Sequence, residues 1–257
     1  MRTSTLVAAA TASVVGLSAT ASLVAGDVAI VGFQASGAVS DSIAFAALTD
    51  LAAGTVIYFT DNGWTGTAFR GVSATDSDGN ENLMKFTVGA GGLAAGTVVS
   101  SRSTNATYGQ WTLSGLVGTG TSAYQQLSLS STGEQITAFI STNATNPMFS
   151  GFTSLYNFDN TGAYENATSS GTGSLAPGLV GGTSAVLLSG GQNYAVFNFS
   201  AFSGAADQAT WLARIGNAAN WTTGTQTTDM ADGSFLVPAP GAVALVGLAG
   251  LIARRRK

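Results

Sequence analysis

The chain has 257 residues, with neither cysteine nor histidine. Disulfides, thiolate nucleophiles, Cys or Cys/His zinc cages and Ser-His-Asp relays are therefore excluded. Charged residues make up only 9% against 45% hydrophobic ones, and there are 34 glycines, which fits a core-forming chain of short strands joined by small-residue turns.

Met1-Arg2-Thr3 is a short basic start, and Leu6 to Leu17 is mainly Ala, Val and Leu. Ala19-Thr20-Ala21 follows as a small-residue cleavage site, with Ala25 as a second one. This is the three-part pattern of a secretory signal peptide, expected over residues 1–25. A β domain is expected over 26–235 and a hydrophobic tail over 236–257. Removing both ends leaves Arg70, Lys85, Arg102 and Arg214 against all 13 acidic residues, a net charge near −9. Such a domain repels phosphate backbones, so no nucleic-acid partner is expected.

Asp27 to Phe33 and Asp41 to Leu48 read as the first two strands. Thr55 to Trp64 is the centre of the pattern. Val56 to Phe59 is an unbroken apolar run between Gly54 and Asn62-Gly63, which predicts a strand buried on both faces. Asp61 and Trp64 then fall at a strand end, where binding residues concentrate. Asn82 to Val88 alternates, with Met84, Phe86 and Val88 inward and Lys85 and Thr87 outward. Gly96 to Ser101 is the next strand.

Gln125 to Ser130 and Gln135 to Ile140 predict a hairpin closed by Ser131 to Glu134. Ser141 to Ser174 is long for a structureless loop and implies a short element around Phe152 to Phe158. Thr183 to Leu188 and Tyr194 to Phe199 are late strands. Ser203 to Gly216 predicts one helix, with Ser203 as its cap, Asp207 in its first turn and Arg214 in its last. Gly216 is expected to end it in the left-handed conformation. Short strands with Gly-rich turns and one late helix predict a mainly β fold, an antiparallel β-sandwich.

The C-terminal segment runs Val237-Pro238-Ala239-Pro240, then uncharged from Gly241 to Ala253, then Arg254-Arg255-Arg256-Lys257. With the preceding residues the apolar stretch approaches the ~20 residues of a membrane span, and the basic cluster favours the cytoplasmic side. In order, spacing and terminal position it resembles the PEP-CTERM sorting tail, although Ala239 stands where that motif carries its Glu. The resemblance implies a sorting signal formed by Val237, Pro238, Ala239, Pro240, Arg254, Arg255 and Arg256. It also implies transient membrane anchoring, an exosortase-type protease as partner, and delivery to the cell surface or exterior.

A second resemblance rests on Gly26 to Phe33, Phe45 to Trp64, Gly92 to Val99, Leu127 to Ala138 and Leu212 to Trp221. These stretches resemble a recurrent extracellular bacterial domain of the lamin-tail-like or Ig-like sandwich type. That group implies a fold but no catalytic residue.

Three constellations carry candidate chemistry. Asp76-Ser77-Asp78-Gly79-Asn80-Glu81 places oxygen ligands at alternate positions. An EF-hand is rejected because Glu81 and Thr87 occupy its sixth and twelfth places. A surface calcium site using Asp76, Asp78, Asn80 and Glu81, completed by Asp61, is the remaining reading, against a solvated acidic turn. Asp61, Glu81 and Glu134 contain a candidate carboxylate pair for glycoside hydrolysis, which needs two carboxyls about 5 or 6.5–9.5 Å apart. Hydrogen-bonded strand-end carboxylates are the competing reading. Trp64, Trp111 and Trp221, with Tyr58, Tyr124 and Tyr156, form either a sugar-stacking platform or core packing. Asn105, Asn143, Asn166, Asn198 and Asn220 begin Asn-x-Ser/Thr sequons, and Asn143 and Asn166 are the expected exposed ones.

The expectation is an exported, non-catalytic surface or extracellular-matrix protein, with no catalytic or cofactor-binding residue and with polysaccharide as the candidate associate. The alternative is a secreted carboxylate- or calcium-dependent hydrolase.

Overall fold

The computed structural model describes residues 22–35, 41–70, 81–113, 126–165, 171–224 and 230–238. The expected signal segment up to residue 21 and the tail beyond Pro238 lie outside the described residues. Twelve strands are present among the described ones: β1 (Val28–Gln34), β2 (Ser42–Ala47), β3 (Val56–Thr60), β4 (Leu83–Val88), β5 (Thr97–Ser100), β6 (Gly109–Thr112), β7 (Gln135–Ser141), β8 (Phe152–Asp159), β9 (Ala185–Leu187), β10 (Tyr194–Phe197), β11 (Trp221–Gly224) and β12 (Gly233–Ser234). One α-helix, α1 (Gln208–Ile215), lies between β10 and β11.

The strands form two six-stranded sheets, ordered β11-β10-β1-β2-β5-β12 and β6-β4-β3-β7-β8-β9. Both sheets contribute to one core of buried apolar side chains. Phe33 of β1 stacks on Phe158 of β8 at 5.0 Å between ring centroids. Phe45 of β2 meets Phe59 of β3 at 5.2 Å, Phe86 of β4 at 5.1 Å and Trp111 of β6 at 5.9 Å. These offset and edge-on pairs add to the burial of large apolar rings.

The second sheet is buried on its other face as well. Tyr58, Trp64, Phe69, Leu83, Phe139 and Met148 form a smaller apolar cluster there. This explains why Val56 to Phe59 is apolar without alternation: adjacent residues face opposite layers and both layers are dry. Met84, Phe86 and Val88 join the main core while Lys85 and Thr87 are half-exposed, as the alternation predicts.

Several expectations are corrected. One ladder is parallel, β8 with β9, so the sheets are not wholly antiparallel. Residues 126–130 are not a strand, and β7 pairs with β3 and β8. The hairpin partner of β7 is β8, the element expected inside the long Asn/Thr-rich stretch. The helix begins at Gln208, later than expected, because Gly204 has φ +80° and breaks the backbone before it. Its cap is Asp207, whose Oδ1 accepts from the Thr210 N–H at 2.8 Å. Trp211, Leu212 and Ile215 share the buried face as expected.

Gly216 ends the helix with φ −69°, so it is not left-handed. Glycine is needed there for space, since a Cβ would collide with the Gly182 backbone. Gly96 has φ +88°, and a Cβ would strike the Phe235 carbonyl. The Phe235 N–H donates to the Gly96 carbonyl at 2.9 Å. Phe235 also packs on Phe199 and Trp211, and the Trp211 indole donates to the Leu236 carbonyl at 3.0 Å. The chain is thus held in the fold up to the residues that open the Val-Pro-Ala-Pro motif.

Phe45 touches three rings of the opposite sheet, so its truncation tests the shared core. Phe45→Ala should lower the unfolding free energy by about 3–5 kcal/mol, read from urea denaturation. A loss below about 1 kcal/mol would mean that the sheets do not depend on this contact.

Candidate functional site

Two regions carry polar side chains in number, and they adjoin each other. The first is the end of the molecule where β3 stops and β2, β4 and β7 start. Asp41 precedes β2, Asp61 follows β3, Asn82 precedes β4 and Glu134 precedes β7. Strand antiparallelism brings Asp61, Asn82 and Glu134 together, because β3 pairs with both β4 and β7.

Residues 126–130 lie across this end and are held mainly by carboxylates. Asp61 Oδ2 accepts from the Ser128 N–H at 2.7 Å. Asp41 Oδ2 accepts from the Leu129 N–H at 2.7 Å. Glu134 Oε2 accepts from the Ser130 N–H at 3.0 Å. The Asn82 side-chain amide donates to the Gln126 carbonyl at 2.7 Å, and Gln126 Nε2 donates to the Asp41 carbonyl at 2.6 Å. Leu127 and Leu129 enter the main core from this segment. Buried backbone N–H groups require acceptors, and side chains supply them here in place of a sheet ladder.

Asp61 is fully buried, and its other oxygen accepts from the Asn82 N–H at 2.5 Å. Glu134 Oε1 accepts from the Gln135 N–H at 3.1 Å. Glu81 is half-buried, and its carboxyl neighbours that of Asp61. Burial pushes Asp61 up to about 7, against the lowering effect of its two backbone N–H partners. Burial and the neighbouring Asp61 push Glu81 up to about 8, while Arg70 acts the other way. Glu134 is raised well above the usual carboxylate range by burial, then by Asp61 and Glu81. Away from this group, Asp159 is raised to about 6 by burial, against hydrogen bonds from Thr161.

The second region is an open groove of about 940 Å³ along β6. Lys85 and Thr87 from β4, Arg102 and Ser103 from the turn after β5, and Gln110 and Trp111 from β6 line it. Arg102 Nη2 donates to the Asp41 carbonyl at 2.9 Å, which ties the groove to the carboxylate end. The Trp111 indole donates to the Ser100 carbonyl at 2.9 Å while its ring packs on Phe45, Phe59 and Phe86.

The aromatic platform does not form. Trp64 and Tyr58 belong to the smaller core, Trp221 and Tyr156 to the main one, and Trp111 alone of the described members borders a groove. Tyr124 lies outside the described residues. So do Asp76, Asp78 and Asn80 of the calcium reading, leaving Glu81 with Asp61 as described. Among the described residues no group of three carboxylates is arranged to hold a metal ion. Of the sorting motif, Val237 and Pro238 are described, while Ala239, Pro240, Arg254, Arg255 and Arg256 lie outside. No helix among the described residues is long and apolar enough to cross a membrane. Asn143 is half-buried, with Nδ2 donating to Ser150 Oγ and Oδ1 accepting from Asn146 N–H, whereas Asn105 is exposed. Asn166 lies outside the described residues.

Asp41, Arg102 and the groove were not singled out from sequence. Their partners lie about 60 to 90 residues away in the chain, and no local pattern marks them. The chain matches no protein-family model, no curated protein and no solved structure.

The raised carboxyls set the sign of the pH dependence. Asp61 and Glu134 hold protons in the folded state at pH values where an unfolded carboxyl has lost them. The folded state therefore binds more protons, and stability falls as pH rises from the ordinary carboxylate range through about 7 for Asp61. Each such carboxyl contributes a slope of up to about 1.4 kcal/mol per pH unit. Urea midpoints should thus be higher at pH 5 than at pH 8, with a shallower slope in Asp61→Asn. Midpoints that rise with pH over this window would mean that the group is ionised in the folded protein.

Proposed function

We propose that this chain is an exported, non-catalytic surface or extracellular-matrix protein, associated with polysaccharide. Its β domain resembles the lamin-tail-like sandwiches in the stretches Gly26 to Phe33, Phe45 to Trp64, Gly92 to Val99, Leu127 to Ala138 and Leu212 to Trp221. Its C-terminal segment from Val237 is a PEP-CTERM-like sorting tail that anchors the chain in the membrane until an exosortase-type protease acts near Pro238.

The observation that carries the non-catalytic reading is the use made of Asp61. Its two carboxylate oxygens accept from the Asn82 and Ser128 N–H groups inside the protein. A glycosidase nucleophile or general base needs a lone pair facing the sugar or a water molecule. Glu134 is likewise spent on Ser130 and Gln135. These side chains close the fold.

One observation favours the rival hydrolase. Glu81 is half-buried with its carboxyl raised to about 8, which suits a general acid at neutral pH. Its neighbour Asp61 is already engaged, by the Asn82 and Ser128 N–H groups.

Intact-mass analysis of the protein from membranes and from the medium tests the sorting reading. The released form should start after residue 21 or 25 and end near Pro238, without the arginine cluster. A tail retained in full on membrane-bound protein alone would sink it. Incubation of the released form with neutral and acidic polysaccharides should generate no new reducing ends. Turnover that disappears in Glu81→Gln would establish the hydrolase instead.

A further inference from the structure

The end of the domain from which the tail departs is fixed by the fold. Ser234 of β12 pairs with Thr97 of β5, and the Phe235 N–H then donates to the Gly96 carbonyl. The Leu236 carbonyl accepts from the Trp211 indole at 3.0 Å and from the Ala206 N–H at 3.3 Å. Leu236 is thus held by its backbone while its side chain is 67% exposed. Phe199, Phe202 and Phe235 stand half-buried around the buried Trp211. Phe199 and Phe235 stack at 4.7 Å between centroids.

This end lies opposite the carboxylate end. β2 starts beside Asp41 and finishes at Ala47, whose carbonyl accepts from the Gly96 N–H at 2.7 Å. Its six residues separate the two ends by about 20 Å. The uncharged run of the tail begins at Gly241, five residues beyond Leu236, a span of at most about 18 Å when fully extended. The headgroup layer on one side of a bilayer takes up about 6 Å of that.

We propose that this end of the domain, Leu236 with the Phe199, Phe202 and Phe235 rings, docks on the lipid headgroup surface of the membrane that holds the tail. The proposal rests on reading residues 241–253 as a membrane anchor, and it adds the face through which the domain meets the bilayer. So short a tether gives an effective concentration on the order of millimolar, at which weak interfacial contact orients the domain. Leucine and aromatic side chains favour the boundary between headgroups and acyl chains. The attraction is apolar. Asp27, Asp50 and Asp207 lie at this end, against Arg214 over the Phe202 and Trp211 rings. Docking therefore needs no anionic lipid and persists in salt. The carboxylate end, with residues 126–130, then faces away from the membrane.

The chain has no cysteine, so Ala205→Cys and Ser131→Cys each place a single thiol. Both positions are exposed, the first beside Ala206 and the second at the carboxylate end. Each variant, with its tail intact, is labelled with an environment-sensitive fluorophore and reconstituted in phosphatidylcholine vesicles carrying lipid brominated near the headgroup. The label at 205 should shift to the blue and lose most of its emission, at low and high salt alike. The label at 131 should do neither. Adding Leu236→Asp should restore the emission at 205, with a urea midpoint matching the parent because that side chain is exposed. Unquenched emission at both positions in vesicle-bound protein overturns the docking face and leaves the anchor reading intact. Quenching at 131 alone puts the opposite end on the bilayer and also overturns it. Quenching at 205 that salt abolishes overturns the apolar assignment. Disulfide-linked dimers of Ala205→Cys, formed in place of quenching, assign this end to a second copy and overturn the lipid. Protein that stays out of the vesicles refutes the anchor reading and the proposal with it.

Discussion

Three successive N–H groups, of Ser128, Leu129 and Ser130, end on three different carboxylates, those of Asp61, Asp41 and Glu134. Asp41 stands at the start of β2 in one sheet, and Asp61 and Glu134 stand at strand ends in the other. One short segment is thereby fixed to both sheets at once. Its Leu127 and Leu129 side chains fill core space at the end where the sheets would otherwise be open. Hydrophobic packing alone is non-directional and would hold such a segment in no particular register. The carboxylates supply the register. Burying them is unfavourable, and burial raises Asp61 and Glu134 above the usual carboxylate range. Each buried N–H that they satisfy would be costly if left alone.

The elements built on local pattern were legible in the sequence. Strands β1 to β5, β7, β9 and β10 follow from apolar alternation or from short apolar runs between turn residues. The late helix was legible from its Trp211, Leu212 and Ile215 face. Its start was misplaced because Gly204 lies just inside the expected span, and a glycine there reads equally well as tolerated or as a break. Gly216 was correctly expected to stop the helix but for another reason. The requirement is the absent Cβ against Gly182, a contact across 34 residues that no helix signal encodes.

Residues 126–130 show why the polar end was less legible. Leu127 and Leu129 alternate with Ser128 and Ser130, so they read as a strand. Alternation records only which side chains are buried; it does not say what accepts the backbone N–H groups. Sheet ladders and side-chain carboxylates give the same pattern in sequence, and here the carboxylates won. The same ambiguity affected the aromatic residues. Trp64 lies at a strand end, which suggested a rim, but the second face of its sheet is covered, so it packs with Phe69 and Phe152. The apolar run of β3 signals burial on both faces, but no local pattern marks the loops that do the covering.

The distribution of cations links the two polar regions. A buried acidic group raises the cost of ionising every neighbour, and the Asp61, Glu81 and Glu134 carboxyls respond by holding protons. Arg102 bonds the Asp41 carbonyl oxygen at the edge of that end, with its guanidinium lining the groove. This bond orients the guanidinium. The Asp41 carboxylate in turn holds Leu129. One residue thus fixes the closing segment with its side chain and a groove cation with its backbone. The stability of the closed end and the geometry of the groove are therefore coupled through Asp41, and a change that releases residues 126–130 must also loosen the lining at Arg102.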